Sequence, residues 1–224
     1  MKKILFIAII FIAQQCYAAD IQTVKQIRTV KFANMEFTLS GSDNFKWLFT
    51  NQYIRKGDSF KNKQWKDSFE INVYKSQAIT PAQIAFNTAT FINRKSPHPF
   101  LMTICDTGNK EYDNSQALLY YVNGPDNAAF MEFNIFYYFN GKDQNNIIGL
   151  HYTHRFYPPN LTQKIHAWLI QNKVRVSKNL WEGKVSTGNN ISLNNVLGYK
   201  IPICKKVGYI DLQSLKALSA SKAD

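Results

Sequence analysis

AAFMEFNIFYYF, Ala128–Phe139, and IIGLHYTHRF, Ile147–Phe156, are two long apolar runs separated by NGKDQNN, residues 140–146. Phe, Tyr and Ile dominate both runs, and such side chains favour the pleated surface of a sheet. Asn140-Gly141 is a strong turn signal, so the segment predicts a β-hairpin with a loop longer than two residues. Tyr157-Pro158-Pro159 stops the second strand. A long hairpin of this kind asks for an antiparallel sheet, and the rest of the chain is read around it.

Working toward the N-terminus, Gln116–Val122 and Phe100–Cys105 read as two further strands, joined by the polar stretch 106–115. Before them, Thr80-Pro81 opens a helix, with Thr as N-cap and Pro at the first helical position. Ile84, Ala85, Thr88, Phe91 and Ile92 fall on one side of it at helical spacing, and Ser96-Pro97-His98-Pro99 ends it. Ser68–Tyr74 alternates, with Phe69, Ile71 and Val73 on one face and Glu70, Asn72 and Tyr74 on the other, a half-buried strand. Phe45–Ile54 is an aromatic strand, and Ser40-Gly41-Ser42-Asp43-Asn44 before it a turn cluster. Ile21–Phe32 alternates loosely and is expected to form the first strand.

Toward the C-terminus, Asn160 is expected to cap a helix with Gln163 at the capping-box position. Its apolar stripe is Leu161, Ile165, Trp168 and Leu169, and it is expected to fade near Asn172. Beyond Lys173 the pattern weakens, with one more strand at Leu197–Ile203 and a short helix at Ser214–Ala220 expected. Residues 173–224 hold nine Lys or Arg against Glu182, Asp211 and Asp224, a net +6. The expectation is an α+β domain over residues 20–172, an antiparallel meander with a long hairpin packed against two main helices. A basic C-terminal extension, 173–224, follows it. No internal repeat is legible.

Met1–Ala18 is a different kind of segment. Lys2 and Lys3 precede an apolar run, Ile4–Ala13, and Ala18 closes a small-residue cleavage site. That is the three-part layout of a secretory signal peptide. The run has ten residues, where a bilayer needs roughly 20. Cleavage after Ala18 removes Cys16, which is a poor lipoprotein acceptor behind Gln15. Cys105 and Cys204 remain, and an even pair in an exported chain suits a disulfide. It would close a loop worth roughly 4.7 kcal/mol in the chain-entropy account. A reactive Cys105 thiol beside a histidine base is the competing reading.

The formal charge of the chain is +12, and +10 once Lys2 and Lys3 are gone. Such a charge favours lipid head groups, lipopolysaccharide, acidic glycans, nucleic acid or an acidic protein, although Lys- and Asn-rich composition can also be mere composition. The most suggestive surface is a basic loop after Tyr53: Arg55, Lys56, Lys61, Lys63, Trp65 and Lys66, with Phe60 among them. Cations interleaved with rings grip anions, or form a solvated loop whose rings turn inward.

Catalytic signatures are sparse. His151 and His154 stand three apart in one strand, so they point to opposite faces and make a poor metal pair. His151-Tyr152-Thr153 fits the H-x-T signature of two-histidine phosphoesterases, which need two copies. The other histidines read His98-Pro99-Phe100, His154-Arg155-Phe156 and His166-Ala167-Trp168. No G-x-S-x-G elbow, phosphate loop or clustered metal-ligand spacing is present. No cofactor or metal is implied.

A strand near Trp65 and Phe69-Glu70-Ile71-Asn72-Val73, then a Pro-initiated helix, a Cys-ended strand and a meander, resembles the Mog1/PsbP-like sandwich over Thr38–Leu169. The resemblance rests on element order and implies a fold used in binding or assembly. The expectation is therefore a non-catalytic exported binding or envelope-associated protein of a Gram-negative bacterium, periplasmic or secreted, with an anionic partner. The alternative is a small secreted hydrolase whose site is assembled from dispersed residues, with His151, His154 or Cys105 as candidates.

Overall fold

The long hairpin over residues 131–156 lies at the centre of a ten-stranded antiparallel sheet. The computed structural model describes residues 21–60, 65–75, 79–95, 100–106, 116–124, 129–141, 146–198 and 206–210, with 93–95, 100–106 and 206–210 as backbone. A helical turn, α1, covers residues 21–26. A first meander follows: β1 Thr29–Phe32, β2 Met35–Asn44, β3 Leu48–Arg55 and β4 Asp67–Tyr74. Helix α2, Pro81–Lys95, leads to a second meander: β5 Phe100–Asp106, β6 Gln116–Asn123, β7 Met131–Asn140 and β8 Ile147–Phe156. Helix α3, Leu161–Trp181, β9 Val185–Thr187, α4 Leu193–Leu197 and β10 Lys206–Ile210 complete the described chain.

The sheet order is β10-β5-β6-β7-β8-β4-β3-β2-β1-β9. Each meander of four strands is followed by a helix, and the two meanders join through their last strands, β4 against β8. Asp67 lies opposite His154 and Tyr74 opposite Ile147. β4 is central and uses both faces, which is why Asn72 is buried beside Ile71 and Val73.

Sheet curvature is read from ring contacts. Phe32 in β1 lies 5.4 Å from Tyr152 in β8, and 5.3 Å from Phe69. β1 and β8 are four strand positions apart, roughly 19 Å in a flat sheet. The sheet has therefore curled over its inner face. Phe37, Phe49, Tyr53, Phe69, Ile71, Phe133, Ile135, Leu150 and Tyr152 form the core there, closed by Val24 of α1 and Ile27 just after it, Val176 and Leu180 of α3, and Leu193 and Leu197 of α4. A second, smaller core lies on the outer face, where Ala82, Ile84, Ala85 and Ala89 of α2 cover Ala117, Leu119, Phe136 and Tyr138.

The helix at Pro81 starts where its sequence says. Gln83 N–H donates to Thr80 Oγ1 at 3.2 Å and Thr80 N–H donates to Gln83 Oε1 at 2.8 Å, a reciprocal capping box. Other boundaries differ from expectation. Residues 21–26 are helical, because Ile21, Val24 and Ile27 recur at spacing three as well as loosely alternating. Ser40–Asn44 continues β2 as strand: it pairs with β3 past a bulge between Leu39 and Gly41, while its other side faces solvent and tolerates polar residues. Phe45 lies in the turn, and β3 starts at Leu48. Asn160 takes a left-handed backbone, φ 63°, with no side-chain cap bond. Helix α3 does not fade near Asn172 but runs on to Trp181, its last turns burying Val176 and Leu180. Gly183, at φ 65°, then turns the chain toward β9. Leu197 belongs to α4, not to a strand. The expected helix at Ser214–Ala220 and residues 199–203 lie outside the described residues.

The α+β class stands, and no described helix is long and apolar enough to cross a membrane.

Candidate functional site

The end of β8 and the first turns of α3 diverge around a groove. Tyr157-Pro158-Pro159-Asn160 carries the chain from strand to helix, leaving His154, Arg155, Phe156 and Tyr157 on one wall. Lys164, Ala167, Trp168 and Gln171 of α3 form the other, and Lys66 enters from the segment before β4. The groove has a volume of about 830 Å³ and is open on one side. Four of its nine lining residues are Lys66, Arg155, Lys164 and His154, and three are the rings of Phe156, Tyr157 and Trp168.

These side chains are held in place. Arg155 lies between two rings, its guanidinium 3.8 Å from the centre of Trp65 and 3.9 Å from that of Phe130. It also donates through Nε and Nη2 to Glu132 Oε1, at 2.9 and 2.6 Å. The backbone N–H of Arg155 donates to Lys66 O at 2.8 Å, extending the β4–β8 ladder into the basic loop. Tyr157 donates its hydroxyl to Trp65 O at 2.7 Å, and Lys164 Nζ donates to Tyr157 O at 2.8 Å. Asp58 accepts the Lys66 N–H at 2.9 Å, which fixes the loop's return.

Behind the groove is a buried charge cluster. His154 Nδ1 and Asp67 Oδ1 are 2.6 Å apart, and Asp67 is 2% exposed at its side chain. Asp67 Oδ1 also accepts the Tyr152 hydroxyl at 2.7 Å, and Oδ2 accepts Arg55 Nη1 at 3.3 Å. Burial works against the Asp67 charge, but His154, the Tyr152 hydroxyl and Arg55 outweigh it and hold the carboxyl below its usual value. Burial and the neighbouring carboxylate drive the Tyr152 phenol well above its ordinary value, so it stays a donor. The His154 ring stacks on Trp168 at 4.6 Å, and Asp67 leaves its Nε2 as the nitrogen not committed to that carboxylate.

The opposite face of β8 carries a second histidine. His151 stacks on Phe136 at 3.8 Å. Its Nδ1 meets Glu70 Oε2 at 3.1 Å, and its Nε2 meets Asn134 Oδ1 and Thr153 Oγ1, each at 3.0 Å. Carboxylate, imidazole and hydroxyl are thus in line. The Thr153 hydroxyl, however, is buried and donates its proton to Asn134 Oδ1 at 3.0 Å. Both ring nitrogens and the hydroxyl are spent within the cluster, which makes His151 a cross-strand brace. Burial opposes the Glu70 charge, yet His151 and Asn72 prevail and keep its carboxyl below its usual value. As the strand periodicity requires, His151 and His154 are on opposite faces.

The basic loop is divided by the structure. Trp65 and Lys66 join the groove. Arg55 turns to Asp67 behind it, and Lys56 pairs with Glu36 at 3.3 Å on the surface. Phe60 packs edge-on to Trp65, ring centres 5.6 Å apart. Lys61 and Lys63 lie outside the described residues. The sequence reading missed Arg155, Lys164 and the Asp67–His154 pair as partners of this loop. Cys105 stands in β5, opposite Val207 of β10, and Cys204 lies outside the described residues. Among the described residues, no three His, Cys, Asp or Glu side chains group as metal ligands.

One family model matches residues 24–182, from the first buried side chain of α1 to the residue after α3. No curated protein matches the chain, and no solved structure matches it.

Proposed function

The chain belongs to the family matched over residues 24–182, a span that holds every residue of the groove, and we propose that it is an exported binding protein whose groove takes an anionic ligand. One observation carries this reading: Lys66, Arg155 and Lys164 converge with Tyr157 and Trp168 on one open cavity. Arg155 is largely balanced by Glu132, so Lys66 and Lys164 supply the net charge, and the rings supply apolar contact for the ligand's uncharged part. The signal-peptide-like start and the +10 charge of residues 19–224 support a place in the periplasm or outside a Gram-negative cell. A binding role is also what the resemblance to Mog1/PsbP-like domains implies.

Heparin is a convenient polyanion for the test. Residues 19–224 are expected to be retained and to elute with added salt, because surface charge pairing is screened. Lys66→Glu with Lys164→Glu should elute at clearly lower salt with an unchanged unfolding midpoint. Equal retention of the double variant would remove the groove from the binding surface.

A second reading has its own observation. His154 lines the groove with its Nδ1 fixed by Asp67, the arrangement of an oriented general base. A hydrolase of small anionic esters would use it. Turnover of phosphate or carboxylate esters that is abolished in His154→Gln supports that reading. Equal rates in the two proteins dispose of it.

A further inference from the structure

We propose that the β2–β3 turn is a membrane-docking wedge that seats this protein on an anionic lipid surface. Phe45 and Trp47 are 54% and 61% exposed, and Lys46 stands between them at the apex. The turn is nevertheless tightly built. Phe45 N–H donates to Leu48 O at 2.7 Å, and Lys75 N–H donates to Trp47 O at 2.9 Å. The Lys75 ammonium donates to Asn44 Oδ1 and to Phe45 O, both at 2.7 Å. Trp47 stacks on Tyr74 with ring centres 6.3 Å apart. A fastened turn that holds two large rings out of the core is pre-organised for a contact elsewhere.

Charge and area choose the occupant. Lys46 and Lys75 flank the rings, and Lys25 reaches over Phe49 at 5.7 Å just behind them. Asp43 is the carboxylate within residues 40–50. Rings ringed by lysines match the interfacial zone of an anionic bilayer, where aromatic groups sit at head-group depth and each nearby cation adds attraction. The two rings expose about 200 Å² between them on the scale of aromatic side chains. A stable protein contact needs about 800 Å² per partner, whereas a bilayer needs no complementary pocket.

The wedge stands apart from the groove. Leu48 and Tyr74 mark one end of β3 and β4, and Arg55 and Asp67 the other, some 24 Å away at strand rise. A chain seated by the turn therefore presents the groove away from the bilayer.

Flotation of residues 19–224 with vesicles of equal phosphatidylglycerol and phosphatidylcholine is the test, with pure phosphatidylcholine vesicles alongside. Binding is expected on the anionic vesicles, with a blue shift of tryptophan emission. Phe45→Ser, which removes a ring that is 54% exposed, should lower the partition coefficient about tenfold, and adding Trp47→Ser should abolish binding. Val174→Ser, at a 70% exposed apolar position on α3, should leave it unchanged, which separates the turn from exposed apolar surface in general. Equal binding to both vesicle types, equal binding of Phe45→Ser, or loss of self-association in Phe45→Ser without any vesicle binding would overturn the proposal.

Discussion

Asp67 serves three partners from a site that water does not reach: His154, the Tyr152 hydroxyl and Arg55. An amide in place of the carboxylate turns one of its two acceptor atoms into a donor, so His154 Nδ1, the Tyr152 hydroxyl and Arg55 Nη1 can no longer all be met. Asp67→Asn should therefore cost about 3–5 kcal/mol, the range for breaking one side of a buried pair, read by urea denaturation. The same carboxylate sets an acid limit. Asp67 and Glu70 are both held below their ordinary values of 3.8 and 4.5, so the unfolded chain binds more protons as acid is added. Their contribution is fully present above about pH 5 and is lost as pH falls through the depressed folded values. The urea midpoint should fall below pH 4.5, and less steeply in Glu70→Gln. At this scale the sequence was partly readable. Trp65 and Lys66 stood out because cations and rings were adjacent in the chain. His154 and Arg155 could not be joined to them, since only the β4–β8 register brings positions 67 and 154 face to face.

Helix α3 shows what an element can hide. Lys173, Arg175 and Lys178 dilute its apolar stripe after Asn172, yet Val176 and Leu180 remain four apart and fully buried. Reading by net polarity ends the helix too early, whereas reading by spacing carries it to Trp181. Leu180→Ala should cost about 2–5 kcal/mol through the cavity it leaves. Val174→Ala, one turn and a half earlier and 70% exposed, should change stability by under about 0.5 kcal/mol. Denaturant midpoints of the two variants measure the contrast. Strands β4, β6, β7 and β8 were legible to within a residue or a few, because unbroken apolar runs meet clear turn residues. α1 was not, because six residues satisfy period two and period three alike. The second half of β2, Ser40–Asn44, read as a turn because that solvent-facing stretch is built from turn-forming residues.

At the scale of the whole molecule, the two meanders meet through β4 and β8, with a groove at one end of these strands and an aromatic turn at the other. That arrangement was out of reach of the sequence, which shows strands but not which last strands meet. The C-terminal chain returns to the body as β10, with Val207 opposite Cys105. On the proposed export, Cys105 and Cys204 are expected to be bonded. A mass two hydrogens below the reduced chain under non-reducing conditions supports this, and labelling of both thiols rejects it. The same return strand has a wider effect. Both outermost strands, β9 of three residues and β10 of five, come from the chain after α3. They cover β1 and the seven-residue β5, which would otherwise offer rows of unpaired amides to any passing chain. The last quarter of the protein thus acts as a pair of end-stops against polymer growth. Val207→Pro should free the rim of β5, so that light scattering climbs more steeply with concentration than for the unsubstituted chain.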